Sequence, residues 1–499
     1  MKCKQNLQSE LLSVLFGVVC FTASSFSFAS SNLVIESTIL NDEDITKIIE
    51  DSTLGTSLSF ELLDSNLKSI LIDKYDILVP IISIENNDGF DVIKAEASQY
   101  ESITDNFDDN IHNLVCEQLC SKNDIRKKDL LGVVNSIDSI NSLSAHLELL
   151  PGSLPRHSDL IVDVKPKKNF LRLEADNRGN EYTGNYVYSL YGQINSTFTN
   201  YDQINTKFET SNLIGKKSAS IYYSDYLPSI DANYDVAAVY DYYLLKKELQ
   251  KFQITGDSFK YSFMIRKVPF FDYASSINAG VTFVDNTSHL LGLSTDKDIV
   301  YSEIGYTKKY DNFDGFRAVV NFNYVSGDVS FGDQQAEEID SDSVNIGGNF
   351  KILRSYFNAS YQFFPYEVEL LMRGQLANHK NLANELKIDI GDSLFSYQRG
   401  FTINDGILNA ISLSRYDLVF NQNLKYGVKL SNAYGYIQDA QPYFSDNNKV
   451  NIYDLSLFLK GEWSGLSYEM SFSKALGAKV HNALHDDRFL FTIGKTFNF

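Results

Sequence analysis

Hydrophobic and polar residues alternate with a period of two along most of the chain after residue 168, and helical periodicity nearly disappears there. This period puts successive side chains on opposite faces of a strand, so each stretch has one apolar and one polar face. Sixteen such stretches can be counted. They are predicted to start near Phe170, Asn185, Gln203, Lys217, Tyr234, Phe259, Ser276, Tyr301, Phe316, Ser343, Glu367, Ile407, Lys425, Asn451, Leu466 and Arg488.

The connections between these predicted strands alternate in length. Long polar segments follow odd-numbered strands, as in 285–298, 326–342 and 438–449, whereas 421–423 and 464–465 are tight turns after even-numbered strands. Long loops on one side and compact turns on the other are typical of a transmembrane barrel, with the loops outside and the turns in the periplasm. The segment between predicted strands four and five does not follow this rule.

The last strand, RFLFTIGKTFNF, gives the clearest alternation. One face carries Phe489, Phe491, Ile493, Lys495, Phe497 and Phe499, and the other carries Leu490, Thr492, Gly494, Thr496 and Asn498. An edge strand of a soluble sheet would leave this apolar face open to aggregation, whereas a closed barrel turns it towards lipid. We therefore predict a transmembrane barrel of about sixteen antiparallel strands over 168–499. The terminal aromatic residues resemble the signal read by the outer-membrane assembly machinery, so Phe491, Phe497 and Phe499 are its candidate residues.

The segment before the barrel mixes helical and strand patterns. Residues 33–98 read as a strand, two helices and two strands, and residues 99–165 repeat the order of two helices and two strands. Two small α+β units in tandem are the simplest interpretation.

The first residues read as a secretory signal peptide spanning 1–29. Lys2 and Lys4 form a basic start, and the apolar run after them is too short to span a bilayer. Ser27 and Ala29 are the small residues that precede a cleavage site, so we expect the mature chain to begin at Ser30 and to be exported.

Composition narrows the class of protein further. The formal charge is −20, and it becomes −21 once Lys2, Lys4 and Glu10 leave with the signal. Such an acidic chain is not expected to bind nucleic acid. The 31 Tyr and 34 Phe stand beside a single Trp and 8 Pro, with no apolar run of membrane-helix length after the signal. These features fit a secreted β-protein or an outer-membrane barrel.

Candidate chemistry is sparse. Cys116 and Cys120 lack the spacing of a redox or zinc site, and either a small disulfide loop or two half-buried thiols would fit. His481 and His485 lie beside two aspartates in a predicted solvated loop, which is a weaker indication than a metal site needs. No hydrolase, P-loop or zinc-protease motif is present. We expect no enzyme, no metal and no cofactor.

The stretch DNRGNEYTG, residues 176–184, is predicted to be the first extracellular hairpin, with glycines that supply positive φ. It resembles the DN-x-G-x(3)-TG motif that opens the barrel of the two-partner secretion transporters, the hemolysin secretion/activation family. The matching positions are Asp176, Asn177, Gly179, Thr183 and Gly184. Residues 147–164, 256–271 and 396–401 resemble further family segments, in the same order along the chain.

The resemblance implies a function and a set of residues. The two α+β units would be periplasmic POTRA domains that capture an unfolded hemolysin- or adhesin-type exoprotein by β-augmentation. The loop 378–405 would fold back into the barrel and carry the motif formed by Gln398, Arg399, Gly400 and Phe401. Leu430 and Asn432 occupy the places of the family's FxD motif, which makes Asn432 the candidate partner of Arg399. Asn432 is neutral, and nearby acidic residues could take its place.

The family often begins with a helix that plugs the barrel. Only a residue or two separate Ser30 from the first predicted strand, so we expect no such helix here. Two other interpretations stay open: an assembly factor of the same superfamily that inserts barrels through its seam, and a passive porin. A porin would have no reason to carry residues 33–165.

Overall fold

The computed structural model describes residues 5–7, 24–28, 33–37, 39–54, 57–58, 60–87, 90–269, 274–291, 293–311, 315–378, 381–390, 394–396, 402–419, 422–436, 449–476 and 487–499. The chain divides into two compact units, and residues 139–142 belong with the second, which holds 166–499.

The described residues of the first unit form a five-stranded, a three-stranded and a two-stranded sheet, together with four helices. Its elements are β1 (Gln5–Leu7), β2 (Ser24–Phe28), β3 (Leu33–Ser37), α1 (Asp42–Asp51), β4 (Thr53–Leu54), β5 (Ser57–Leu58), α2 (Phe60–Asp73), β6 (Pro80–Asn87), β7 (Phe90–Ala97), β8 (Gln99–Asp105), α3 (Asp109–Leu119), α4 (Lys127–Ser139), β9 (Leu143–Pro151) and β10 (His157–Pro166). The first sheet has the order β1-β2-β3-β7-β6 and the second the order β8-β10-β9. Strands β1 and β2 lie within the predicted signal peptide, whose removal stays a prediction.

Two helices of this unit, α1 and α3, start at polar capping residues. The Asn41 side chain accepts the Asp44 amide at 2.8 Å, and Asp108 accepts two amides at the start of α3. In α1 the apolar residues Ile45, Ile48 and Ile49 share one buried face. Within the described residues, no α-helix has the length and hydrophobicity needed to cross a membrane.

The second unit is a closed antiparallel barrel of sixteen strands. Its elements are β11 (Phe170–Asp176), β12 (Val187–Asn195), β13 (Gln203–Ser211), β14 (Lys216–Leu227), β15 (Ala232–Leu244), β16 (Thr255–Lys267), β17 (Ser275–Leu290), β18 (Leu293–Asp311), β19 (Phe316–Phe331), α5 (Gln334–Asp342), β20 (Gly348–Phe363), β21 (Tyr366–Ala377), a short pair β22 (Ile388–Asp389) and β23 (Thr402–Ile403), β24 (Asp405–Val419), β25 (Gln422–Tyr436), β26 (Lys449–Trp463), β27 (Leu466–Leu476) and β28 (Arg488–Asn498). Strand β11 pairs with β28 and closes the ring, so the predicted fold class is confirmed.

The two faces of each barrel strand differ as the alternation predicts. In β26, the odd-numbered residues Tyr453 and Leu457 are exposed. The even-numbered residues Ile452, Asp454 and Ser456 are fully buried. The exposed apolar side chains form the outer face and the buried ones point into the lumen.

Tight turns join some strands as expected. The turn after β26 consists of Ser464 and Gly465, whose φ values are +49° and +73°. Positive φ at both central residues matches the two-residue hairpin turns that suit the twist of antiparallel strands.

Three local predictions were wrong. Segment 285–298 forms the ends of β17 and β18 rather than a long loop, because these strands continue with polar residues on both faces. Segment 326–342 continues β19 to Phe331 and then forms α5, which delays β20 to Gly348. The second α+β unit begins with β8, a strand with no clear alternation. Segment 438–449 lies, except for its last residue, outside the described residues.

Candidate functional site

The first hairpin is held by its own polar groups. Asp176 ends β11, and its carboxylate accepts the Arg178 amide at 2.6 Å. Gly184 has φ +127°, the positive value expected for a glycine of this turn. Gly179 is needed for a different reason, because a Cβ at this position would lie 2.0 Å from the Gly184 carbonyl oxygen. The Thr183 carbonyl oxygen accepts the hydroxyl of Ser211.

Asn177 extends the pairing between the first and last barrel strands. Its Nδ2 donates to the Phe489 carbonyl at 2.8 Å, and its Oδ1 accepts the Phe491 amide at 2.8 Å. One side chain thus reproduces the two hydrogen bonds of a ladder position, beyond the point where β11 ends.

The first part of the segment 378–405 packs against the inner wall of the barrel. Leu382, Ala383 and Leu386 are buried in a cluster with residues of β17 to β20, namely Val284, Ile299, Tyr301, Val325, Val329, Phe350 and Ile352. Arg354 and Gln375, which point inward from β20 and β21, both donate to the Leu386 carbonyl, at 2.9 and 3.0 Å.

The second part of the segment packs against other strands of the same wall. Ile390, Leu394 and Ile403 are fully buried in a cluster with Leu408, Ala433, Val450 and Ile452 of β24 to β26. The two parts are tied together by Asn404, whose Oδ1 accepts the Leu382 amide at 2.7 Å. Apolar side chains on both sides therefore hold the described residues of this segment against the lumen wall.

Asp454 is the inward carboxylate that contacts this segment. It has no accessible surface. Its Oδ2 accepts the Ser396 amide at 2.8 Å, and its Oδ1 accepts the Ser456 hydroxyl at 2.6 Å. The predicted motif of Gln398, Arg399, Gly400 and Phe401 begins two residues after Ser396 and lies outside the described residues.

Phe395 joins the segment to the first hairpin. The Arg178 guanidinium lies 4.9 Å from the centre of its ring and the Lys429 ammonium 4.1 Å from it. Arg178 also forms an ion pair with Glu469 of β27 at 2.9 Å. A cavity of about 190 Å³ lies beside this group, lined by Glu369, Leu371, Phe395, Ala410, Ser412, Lys425, Lys429, Phe458, Lys460 and Glu469.

Asn432 does not point towards this site. Along β25, Tyr426, Leu430 and Tyr434 are exposed on the outer face, and Asn432 shares their parity. Its Nδ2 donates to the Ile452 carbonyl oxygen at 3.0 Å. This placement argues against Asn432 as the partner of an inward-facing arginine, because the strand itself separates its side chain from the lumen.

The candidate assembly residues lie on the last strand. Phe497 and Phe499 are exposed on the outer face, 47% and 73%, and Phe491 packs against Tyr186 with ring centres 6.2 Å apart. The Phe499 amide donates to the Asn169 carbonyl at 3.1 Å. Their recognition by the assembly machinery stays a prediction.

Of the two alternatives for Cys116 and Cys120, the structure has the disulfide, at the end of α3. His481 and His485 lie outside the described residues. In the part of the chain that the structure describes, no group of three or more His, Cys, Asp or Glu side chains could hold a metal ion.

Comparison with known proteins bears on this architecture. No family model matches the chain. A stretch of 135 residues is 27% identical to the heme/hemopexin transporter protein HuxB of Haemophilus influenzae strain 86-028NP, and covers 27% of this chain and 24% of that protein. The matched part is thus about a quarter of the relative's length. HuxB of strain ATCC 51907 is 26% identical over the same number of residues.

Solved structures agree over nearly the whole chain. CdiB from Escherichia coli has a TM-score of 0.67 at 13% identity, covering 98% of this chain and 93% of that chain. CdiB from Acinetobacter baumannii has a TM-score of 0.57 at 14% identity, covering 96% and 91%. The chain therefore shares the fold of both CdiB structures, and a short stretch of its sequence is similar to HuxB.

A barrel of this fold implies an outer-membrane location. BamA from Haemophilus ducreyi lacking POTRA domains 1–3 shares the fold, with a TM-score of 0.51 at 10% identity over 94% of this chain and 99% of that chain. At these identities, the structural likeness shows the fold alone.

Sequence reasoning missed several residues of the site. Arg178 lies inside the hairpin motif but at one of its variable positions, and Phe395 precedes the predicted loop motif. Asp454 and Glu469 are acids at inward positions of β26 and β27. A charged residue on the polar face of a predicted strand could have identified these two site residues. A buried carboxylate needs a partner, and that partner has to lie inside the lumen.

Proposed function

We propose that the protein is an outer-membrane transporter that captures an unfolded exoprotein in the periplasm and moves it through the barrel to the cell surface. The observation that carries this proposal is the segment 378–405, whose described residues pack against the lumen wall. Movement of such a segment would open a wet path without ATP. A passive porin would in addition have no reason to carry residues 33–165.

The N-terminal unit supports the capture step. Strand β9 lies at the edge of the second sheet, with β10 as its single neighbour in the described strand order. An exposed edge strand can bind an extended chain through backbone hydrogen bonds, whatever the sequence of that chain. An unfolded client is therefore the substrate class that fits the unit.

We infer that the client is a large exported protein of the hemolysin or adhesin type, as the family resemblance implies. The relative that matches part of the chain is named a heme/hemopexin transporter, so a heme- or hemopexin-linked exoprotein is the second client class to test. The first candidate in either case would be a large exported protein encoded by a neighbouring gene.

Deletion of residues 99–165 tests whether the N-terminal unit captures the client while the barrel conducts it. We expect the barrel to insert normally while secretion of the client stops, because capture and conduction lie in different units. The measurement pairs the secreted client with the inserted transporter in the same cells. Unchanged secretion would favour the porin interpretation, and a general loss of other outer-membrane barrels on gene deletion would favour the assembly factor.

A further inference from the structure

The seam between β11 and β28 is reinforced from inside the barrel. Strand β11 has seven residues, against sixteen in β17, so the backbone ladder at the seam is short. Arg178, just after β11, reaches past β28 to form its ion pair with Glu469 of β27 at 2.9 Å. This pair bridges the seam without using either of the two strands that form it.

A second arginine makes a similar crossing nearer the middle of β11. Arg172 donates to the Ser467 hydroxyl of β27 at 3.4 Å and to Glu174 at 2.6 Å. Gly494 of β28 makes room for it, because a Cβ there would lie 3.1 Å from both Arg172 Nε and Ser467 Oγ. The small residue on the last strand is thus part of the same arrangement.

Arg178 is also the point at which the inward segment touches the seam. Its guanidinium stacks on Phe395 while donating to Glu469, which a planar group with several donors can do at once. Glu469 has a second cation, Lys460, at 3.4 Å. The carboxylate therefore keeps a partner if Arg178 moves away, so two arrangements of this cluster are available.

We propose that Arg178 is a positioning residue that couples the inward segment to closure of the β11–β28 seam. With Phe395 in place, the guanidinium is held towards Glu469 and the seam is closed. When Phe395 leaves, Arg178 loses one of its two contacts, Glu469 turns to Lys460, and the seam loosens. This coupling is a property of the barrel alone and does not require the proposed transport.

Hydrogen–deuterium exchange of the purified full-length protein in nanodiscs, without client, tests the coupling. Phe395→Leu keeps an apolar side chain but removes the aromatic face, and should speed exchange of the amides of β11 and β28 about tenfold. Phe395→Tyr keeps the face and should leave the seam unchanged. Arg178→Ala should accelerate the same amides, and Arg178→Lys should do so to a smaller extent.

The matched control is Arg266→Ala, which removes another ion pair, with Asp235 at 2.8 Å, far from β28 in the strand order. It should leave seam exchange as in the native protein. Seam amides that do not respond to Phe395→Leu would overturn the coupling, and so would an equal response to Arg266→Ala. If Arg178→Ala fails to insert, the Phe395 variants still decide, because Phe395 is not part of the barrel wall.

Discussion

Asp454 illustrates what a single lumen residue can do. Its carboxylate is fully buried, and the Ser396 amide and the Ser456 hydroxyl occupy one oxygen each. A carboxylate can accept about four hydrogen bonds, so it has capacity for a further donor. Arg399 follows Ser396 by three residues, and its guanidinium has the fork that matches a carboxylate. Arg399 lies outside the described residues, and we propose Asp454 rather than Asn432 as its partner.

The first prediction at this scale concerns Arg399→Ala. The change leaves a buried carboxylate short of a partner, which costs roughly 1.5–3 kcal/mol and is enough to loosen a docked segment. Secretion should fall sharply while the amount of inserted barrel stays near normal, and Arg399→Lys should restore secretion only in part. The measurement compares secreted client with surface transporter.

Asp454→Asn changes the proposed partner of Arg399, and Asn432→Ala is the matched control. Asp454→Asn should reduce secretion in the same way, whereas Asn432→Ala should have little effect because its side chain lies on the outer face. Full secretion by Arg399→Ala would contradict the inward position of the motif.

A second prediction concerns Asp44 in the first sheet's helical layer. Burial raises the pKa of Asp44, but hydrogen bonds from Lys74 and Tyr75, together with the charge of Lys74, lower it further than burial raises it. The net pKa lies below the ordinary value, so this group stabilises the fold above the unfolded pKa of about 3.9, and the contribution is lost as pH falls through the folded pKa.

Denaturant unfolding of the N-terminal unit in the full-length protein measures how the stabilisation by Asp44 depends on pH. Asp44→Asn should lower the midpoint at pH 7, and this effect should shrink at low pH as the Asp44 carboxylate becomes protonated. Asp64→Asn, which removes an exposed pair with Lys68 at 2.7 Å, should change the midpoint little at either pH. An Asp44→Asn effect that is equally large at low pH would show that the charge is not the cause.

At the scale of elements, the strands were predictable and the partners of the lumen residues were not. The predicted starts at Phe170, Gln203, Phe316, Leu466 and Arg488 coincide with the observed ones, because lipid on one side and a polar lumen on the other enforce the period of two. Where β17 and β18 carry polar residues on both faces, the period of two disappears, so the sequence pattern predicts a loop although the strands continue.

The placement of Asn432 shows why the contacts of the site were harder to predict from the sequence than the strands. A motif aligned by sequence fixes a position along β25 but not the face of the sheet, and an error of one residue exchanges lumen for lipid. The contact of Phe395 with Arg178 joins positions more than two hundred residues apart in the printed sequence. Such a contact follows from closure of the barrel and has no local signature.

The last strand carries a prediction about assembly. Deleting Phe499 should lower the amount of folded barrel while leaving export across the inner membrane intact, because Phe499 is exposed and directly follows the strand that closes the ring. Phe489→Ala removes an exposed aromatic from that strand and is the matched control. If both changes lower the amount of folded barrel equally, the cause would be the loss of apolar surface and not the loss of a C-terminal residue that the assembly machinery recognises.

At the scale of the whole molecule, the barrel should behave as a membrane-inserted unit of high kinetic stability. All its backbone ladders close on themselves, so local opening in lipid exposes polar groups without a partner. We expect the protein to remain folded in detergent at room temperature and to unfold only on heating, seen as a shift in electrophoretic mobility. Recovery of the whole protein in the soluble periplasmic fraction would contradict the architecture.

The central claim is transport of a protein client, and loss of the gene tests it most directly. The measurement is the amount of a candidate exoprotein, chosen from the genes beside this one, at the cell surface and in the medium, in cells with the gene, without it, and with it restored. We predict that the exoprotein disappears from outside in its absence, remains in the periplasm or is degraded there, and returns on complementation. Undiminished exoprotein outside cells that lack the barrel would contradict the account.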